Sequence, residues 1–140
     1  MAQTDYDVVV VGGGPSCATA AKELAQLNYR VLLIERAFRI KPCGGAIPPC
    51  LIDEFNIPED LLVARIRSAR MVSPKERTVD MPVGNTFVGM VDRDVFDPWL
   101  RERARACGAD LCIGAFKNLH YDSDGVIHVD FQSKEGGLAP

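Results

Sequence analysis

The sequence predicts an α/β protein that begins with a βαβ unit, and three observations predict it. A β-branched run from Asp7 to Val11 ends in three glycines and is typical of a strand buried on both faces of a parallel sheet. Small apolar residues then recur at helical spacing from Pro15 to about Leu27. A second apolar run, Arg30 to Glu35, predicts the next strand. A strand, a glycine turn, a helix and a strand within about thirty residues form a βαβ unit.

Two residues mark the ends of the predicted helix. Pro15 suits a first helical turn, where a missing N–H has no intrahelical partner to lose. Asn28 is expected to end the helix in the left-handed conformation, a position that glycine usually takes.

The remaining residues predict a long loop, short strands and one further long helix. Residues Arg36 to Pro49 lack periodicity, and long loops of this kind are commonly kept for function. The elements predicted after the loop are helical turns near Cys50 to Phe55 and Pro58 to Val63, strands Ala69 to Ser73, Thr78 to Met81 and Phe87 to Val91, a helix Asp94 to Cys107, a third core strand Asp110 to Ile113, and a hairpin of Lys117 to Tyr121 with Val126 to Phe131 around Asp124-Gly125.

Composition excludes several classes of function. The chain has 140 residues, a net charge of -3 and a pI near 5.3, so it lacks the basic surface expected of a nucleic-acid-binding protein. Its five cysteines form neither a CxxC pair nor an even-numbered framework, which argues against a zinc site and a disulfide scaffold. No apolar run is long enough for a signal peptide or a membrane span. We expect a cytoplasmic protein without metal, whose membrane contact is at most peripheral.

The glycine turn carries the first functional signal. Gly12 and Gly14 fit the first two glycines of the G-x-G-x-x-G fingerprint of dinucleotide-binding proteins, after a strand and before a helix. Gly12 permits the tight turn, and Gly14 lets a diphosphate approach the backbone at the positive end of the helix, beside Pro15 and Ser16. Cys17 stands where the third glycine is usual; a cysteine is small enough to be tolerated there, and the alternative is looser packing of the helix or a weaker hold on the cofactor. The alternative is a glycine turn without a ligand.

An acidic residue follows at the distance that the fingerprint requires. Glu35 lies about twenty residues beyond Gly14, at the end of the second predicted strand. Its carboxylate can accept hydrogen bonds from ribose hydroxyls and would repel a 2′-phosphate, which favours FAD or NAD over NADP as the bound nucleotide. The alternative is that Glu35 and Arg36 are solvated charges at the end of a strand.

These residues resemble a known family. The segment Asp5 to Arg36 is similar to the FAD fingerprint of the glutathione-reductase-like superfamily, in which the second strand ends in Glu-Arg. Further motifs resemble the geranylgeranyl reductases of chlorophyll and bacteriochlorophyll synthesis, most closely those of purple bacteria. The motifs are Arg39-Ile40-Lys41-Pro42-Cys43-Gly44-Gly45-Ala46-Ile47-Pro48-Pro49, Phe55-Asn56-Ile57-Pro58, Gly89-Met90-Val91-Asp92-Arg93, Phe96-Asp97 and Leu100-Arg101.

The resemblance implies a Rossmann-like FAD-binding fold with inserted β-strands from an incomplete substrate domain. We expect residues 1–36 to form the nucleotide-binding unit, residues 37–92 the flavin loop and the start of the substrate sheet, and residues 93–140 the return helix, third core strand and hairpin. The implied activity is reduction of a geranylgeranyl chain, on (bacterio)chlorophyll or as the diphosphate, to phytyl. NADPH or reduced ferredoxin is the implied electron donor, and the substrate implies contact with a photosynthetic membrane.

The resemblance also implies roles for individual residues. Cys43 becomes the candidate proton donor or flavin-positioning thiol, since an ordinary thiol pKa near 8.5 permits donation at neutral pH. Gly44 and Gly45 would allow the loop close to the flavin, and Arg93 would tie its helix to the cofactor. Phe116, placed just after the third strand, would offer backbone groups to the adenine. The alternatives are a packed cysteine at position 43 and a surface salt bridge at Arg93.

The chain is short for a whole enzyme of this kind. It lacks the later Gly-Asp segment of the family and most of the substrate sheet, so we expect a missing C-terminal part or another subunit to complete it. Two other functions stay open: another FAD-dependent oxidoreductase, such as an aromatic-ring monooxygenase, and a truncated, non-catalytic nucleotide-binding module.

Overall fold

The computed structural model of the chain describes residues 5–37 and 41–133. The chain divides into two units, Met1–Arg39 with Asp97–Pro140, and Ile40–Phe96. The elements in chain order are β1 (Val8–Val11), α1 (Pro15–Gln26), β2 (Val31–Glu35), β3 (Ala46–Ile47), α2 (Pro49–Glu54), a 3-10 turn (Glu59–Leu61), β4 (Leu62–Ile66), β5 (Ser68–Val72), β6 (Thr78–Pro82), β7 (Val88–Val91), α3 (Arg93–Ala106), β8 (Asp110–Tyr121) and β9 (Ile127–Ser133). Arg39 and Ile40 of the loop motif lie outside the described residues.

The first unit is built on a sheet of order β1-β2-β8-β9. Strand β2 pairs in parallel with β1 on one side and with β8 on the other. Its residues Val31 to Ile34 are all buried, as expected of a parallel strand covered on both faces. The sequence prediction of an α/β fold with a parallel sheet is confirmed.

An ion pair joins the residues that directly precede β1 and β2. The Arg30 side chain donates to both carboxylate oxygens of Asp7, at 2.7 and 3.3 Å, and the Arg30 backbone N–H donates to the same carboxylate at 2.8 Å. These bonds hold the pKa of Asp7 below its usual value. These bonds align the start of β1 with the start of β2 and so set the register between the two strands.

Both long helices end as the sequence predicts. Asn28 has a φ of +65°, with its N–H bonded to Ala25 O, while Tyr29 N–H bonds to Leu24 O. This pair of bonds is a Schellman motif. Helix α3 ends at Ala106, and Gly108, two residues further on, has a φ of +104°. None of the helices in the described part of the chain has the length and apolar character needed to cross a bilayer.

The third core strand differs from the prediction. Strand β8 does not stop at Ile113: it pairs in parallel with β2 through Ile113 and then runs on to Tyr121, paired antiparallel with β9. The predicted third strand and the first hairpin strand are therefore one continuous strand. The turn that follows is as expected, with a φ of +79° at Gly125.

The second unit contains a three-stranded sheet of order β3-β7-β4 and a two-stranded ribbon, β5-β6. Strands β3 and β4 were not predicted from the sequence. Strand β3 has only two residues, and in β4 only Leu62 is buried, so neither shows an alternating apolar pattern. Gly89 of β7 is a contact point in this unit, because a Cβ there would lie 2.9 Å from both Ile52 and Leu62 side chains.

Candidate functional site

The glycine turn joins β1 to α1 at the carboxyl end of the parallel sheet. Gly12 has a φ of +109° and donates its N–H to Ile34 O at 2.7 Å, so a glycine is required where the chain turns. Gly14 is the residue that precedes α1, in an extended conformation with φ -77° and ψ 176°. Among the described residues, no atom lies within 4 Å of a Cβ placed on Gly14, so the turn is open on that side.

Cys17 occupies the place of the third fingerprint glycine, in the first turn of α1. Its Sγ lies 3.5 Å from the point where a Cβ of Gly12 would stand, and its thiol donates to Val11 O at 3.7 Å. The thiol thus fills the space between the first turn of α1 and the end of β1. Pro15 and Ser16 form that first turn, and Ser16 is exposed.

Glu35 points at the glycine turn. Its Oε2 accepts the Gly13 N–H at 2.5 Å, and its Oε1 accepts the Ala37 N–H at 3.0 Å. The reading of Glu35 as a merely solvated charge is therefore wrong: the carboxylate is half-buried and orients the turn. Arg36, in contrast, is exposed, as a solvated charge at the end of a strand would be.

Arg101, which bonds to the carbonyl of Gly13 while Glu35 bonds to its N–H, was not predicted from the sequence. Arg101 of α3 is only 7% exposed, and its Nη1 donates to Gly13 O at 2.9 Å. A signal was present in the sequence, because Arg101 lies one turn beyond Asp97 and one turn before Ala104. An arginine on the buried face of a helix requires partners for its N–H groups.

The requirement for glycine at position 13 was also not predicted from the sequence. A Cβ there would lie 2.9 Å from Glu35 Cβ, 2.9 Å from Glu35 Oε2 and 3.0 Å from Arg101 Cδ. No side chain fits between these two residues. Gly13, the middle glycine, is therefore required for packing. Gly12 is required for the tight turn, and Gly14 leaves one side of the turn open.

The Cys-Gly-Gly loop belongs to the second unit. Cys43 and Gly44 are exposed, whereas Gly45 is buried with a φ of +69°. A Cβ on Gly45 would lie 2.1 Å from Val91 O, and Val91 N–H donates to Gly45 O at 2.9 Å. Gly45 is thus needed to pack this loop on β7, in addition to any role beside a flavin.

The two remaining candidates lie on regular elements. Arg93 is half-buried and begins α3, between two acidic residues; a hydrogen bond with the neighbouring Asp92 carboxyl raises the pKa of Asp94. Phe116 lies inside β8 opposite Phe131, with 43% of its surface exposed. Its predicted position just after the third strand is wrong, because that strand continues.

The histidines do not belong to the glycine turn. His120 and His128 face each other across β8 and β9, with stacked rings 5.2 Å apart. Each contacts an aspartate, Asp130 at 3.2 Å and Asp122 at 2.9 Å, and the second contact lowers the pKa of Asp122. They are half-exposed strand residues.

Comparison with known proteins supports this geometry. The family described as "NAD(P)-binding Rossmann-like domain" matches residues 10–48, which include the glycine turn, Glu35 and the Cys-Gly-Gly loop. Among solved structures, a geranylgeranyl bacteriochlorophyll reductase-like protein from Thermoplasma acidophilum superposes with a TM-score of 0.79 at 27% identity, covering 92% of this chain and 35% of that one. A myxobacterial FAD-dependent halogenase, at 22% identity and a TM-score of 0.75, shares the fold over 94% of this chain and 34% of its own.

Curated relatives agree on one family. Geranylgeranyl diphosphate reductase of Rhodobacter capsulatus is 55% identical over 124 residues, covering 89% of this chain and 32% of the relative. The chloroplastic geranylgeranyl diphosphate reductase of Arabidopsis thaliana is 41% identical over 140 residues, covering 92% of this chain and 30% of the relative. The chain spans about a third of the length of these relatives. The resemblance that the sequence predicted is confirmed: over that third the chain is similar to the geranylgeranyl reductases.

Proposed function

We propose that this chain supplies the FAD-binding part of an enzyme that reduces the geranylgeranyl group of (bacterio)chlorophyll or of geranylgeranyl diphosphate to phytyl. The observation that carries the proposal is the contact of the Glu35 carboxylate with the glycine turn, in a chain 55% identical to a geranylgeranyl diphosphate reductase.

The turn fits the adenosine diphosphate half of a dinucleotide. Gly14 leaves open space beside the start of α1, where the first N–H groups of a helix have no intrahelical partner. The Glu35 carboxylate has acceptor capacity beyond its two backbone bonds and would take the ribose hydroxyls. The same negative charge disfavours a 2′-phosphate, which supports FAD or NAD over NADP at this site.

The choice of FAD over NAD rests on the shared fold. The matched family is named for nicotinamide dinucleotides, whose diphosphate uses the same kind of turn. FAD is named for the halogenase that shares the fold over 94% of this chain, and a further halogenase of that fold, at 19% identity and a TM-score of 0.72, is described in complex with FAD. We assign FAD to the glycine turn on this ground.

The loop and helix residues would act on the substrate side. Reduced FAD supplies a hydride, and the reaction also needs a proton for the second alkene carbon. The exposed Cys43 thiol is our candidate for that proton, or for positioning the flavin ring. Gly44 would allow the backbone close to the ring, and Arg93 would bind the cofactor from the start of α3. NADPH or reduced ferredoxin would reduce the flavin, and a long isoprenoid substrate would bring the enzyme to the membrane surface.

The test uses the full natural chain. We expect a yellow protein with a flavin absorbance spectrum that converts geranylgeranyl to phytyl when given NADPH or reduced ferredoxin. The Cys43→Ser variant should keep the flavin and lose most of the reduction if the thiol donates the proton. Bound flavin with oxygen-dependent hydroxylation of an aromatic compound, and no alkene reduction, contradicts the proposed substrate.

Replacing Gly14 with alanine should lower FAD affinity with little loss of stability. The new Cβ would project into the open side of the turn, where we place the diphosphate, so FAD affinity should fall at least about tenfold, or ~1.4 kcal/mol. Stability should fall by no more than about 1 kcal/mol, because the conformation at Gly14 suits any residue. Flavin titration and urea unfolding measure the two effects.

Gly13→Ala is the contrast to this variant. Its Cβ would collide with Glu35 and Arg101, so it should lose stability and FAD affinity together. Wild-type FAD affinity in the Gly14→Ala protein would show that no diphosphate lies at the turn.

A further inference from the structure

The strongest unassigned feature is the buried guanidinium of Arg101. This side chain is 7% exposed on α3, and one of its N–H groups bonds to Gly13 O at 2.9 Å. Taking a charged group out of water is costly, so its position must be stabilised by what it contacts. One residue that it contacts is Gly13, at the centre of the glycine turn.

The bond fixes the direction of a neighbouring donor. Gly13 O and Gly14 N–H belong to one peptide group, and this peptide is trans. In a trans peptide the C=O and the N–H point in opposite directions. Because the carbonyl points towards Arg101, the Gly14 N–H points away from it, out of the interior of the unit.

Glu35 fixes the preceding peptide in the same way. Its carboxylate accepts the Gly13 N–H, so both backbone polar groups of Gly13 are held by side chains distant in sequence. Glu35 and Arg101 leave no space for a Cβ between them. A turn of three glycines has many accessible conformations, and these two bonds select one of them.

We propose that Arg101 is a positioning residue for the diphosphate of the bound dinucleotide. It turns the Gly14 N–H towards the open side of the turn, where an anion can accept it together with the first N–H groups of α1. Its positive charge also offsets the charge of Glu35, so an acidic residue and a diphosphate can share one turn. This inference rests on the proposed binding of FAD at the glycine turn.

The test compares two ligands in the full natural chain. ADP uses both the turn and Glu35, whereas adenosine uses Glu35 without a diphosphate. In Arg101→Met the dissociation constant of ADP should rise at least about tenfold, as expected for the loss of one positioned hydrogen bond, while that of adenosine changes less than twofold. Arg101→Lys, which keeps the charge but replaces the planar guanidinium with a compact ammonium, should raise the ADP dissociation constant by about threefold.

Amide NMR gives a second readout. The Gly14 amide signal should shift on ADP addition in the wild-type chain and much less in Arg101→Met. Arg105→Met is the matched control, since Arg105 lies on the same helix but is exposed and paired with Glu102. That control should bind both ligands as the wild type does.

The outcomes separate the inference from the proposed function. Equal losses for ADP and adenosine in Arg101→Met would show a general loosening of the fold and overturn the positioning role. If Arg101→Met does not fold, the ratio of the ADP dissociation constant to the adenosine dissociation constant in Arg101→Lys decides in the same way. If the wild-type chain binds neither ADP nor FAD, the proposed function fails and the inference fails with it. Tight wild-type binding that Arg101→Met leaves intact rejects the inference alone.

Discussion

Replacing Gly45 with alanine is expected to destabilise the unit Ile40–Phe96 by about 3 kcal/mol or more, the largest effect that the structure predicts for a single methyl group. Gly45 has a φ of +69°, which is unfavourable for any residue with a Cβ. The new atom would also lie 2.1 Å from Val91 O. That oxygen belongs to β7, which is paired with β3 and β4 and cannot move aside without breaking the sheet.

Gly44→Ala is the matched control for this prediction. Gly44 is the adjacent residue, it is exposed, and among the described residues no atom lies within 4 Å of a Cβ placed there. Its replacement should change the free energy of unfolding by less than about 0.5 kcal/mol. Urea unfolding followed by circular dichroism measures both variants. Equal stability of the two proteins would mean that the loop does not pack on β7 as described.

Replacing Glu35 with alanine should affect stability and cofactor binding together. The carboxylate accepts the N–H groups of Gly13 and Ala37, and Gly13 is buried, so its N–H loses its partner in the variant. An unpaired buried donor costs about 1 to 3 kcal/mol. Loss of the charge-assisted bonds to ribose should lower FAD affinity by about 10- to 100-fold.

Two further variants make this prediction specific. Glu35→Gln keeps the length and one acceptor oxygen but loses the charge, so its affinity should lie between those of the wild type and the alanine variant. Glu23→Ala removes an exposed carboxylate of α1 that is paired with its neighbour Lys22, and it should leave both quantities unchanged. Flavin titration and thermal unfolding measure them. Wild-type FAD affinity in Glu35→Ala would remove Glu35 from the binding site.

Features set by short-range rules were predictable from the sequence. The positive φ angles at Gly12, Asn28 and Gly108 follow from residue type and from their positions at the ends of elements. The burial of β2 follows from its continuous apolar run. The orientation of Glu35 towards the turn follows from the fingerprint spacing.

Features set by distant contacts were not predictable in the same way. The bond between Arg101 and Gly13 joins α3 to the turn, and no local pattern specifies the partner of a buried arginine. The requirement for glycine at position 45 comes from Val91 O on another strand. Strand β8 continues past Ile113 because β9 takes over the pairing from β2.

The long separation between Gly13 and Arg101 has a consequence for how the protein is made. The two residues are 88 positions apart, and a ribosome that adds roughly 5 to 20 residues per second needs about 4 to 18 s between them. Once Glu35 has been added, a nascent chain has the whole βαβ unit but still lacks the helix that holds its turn. Under the proposed function, capture of the nucleotide therefore follows the docking of α3 and does not guide the first folding steps.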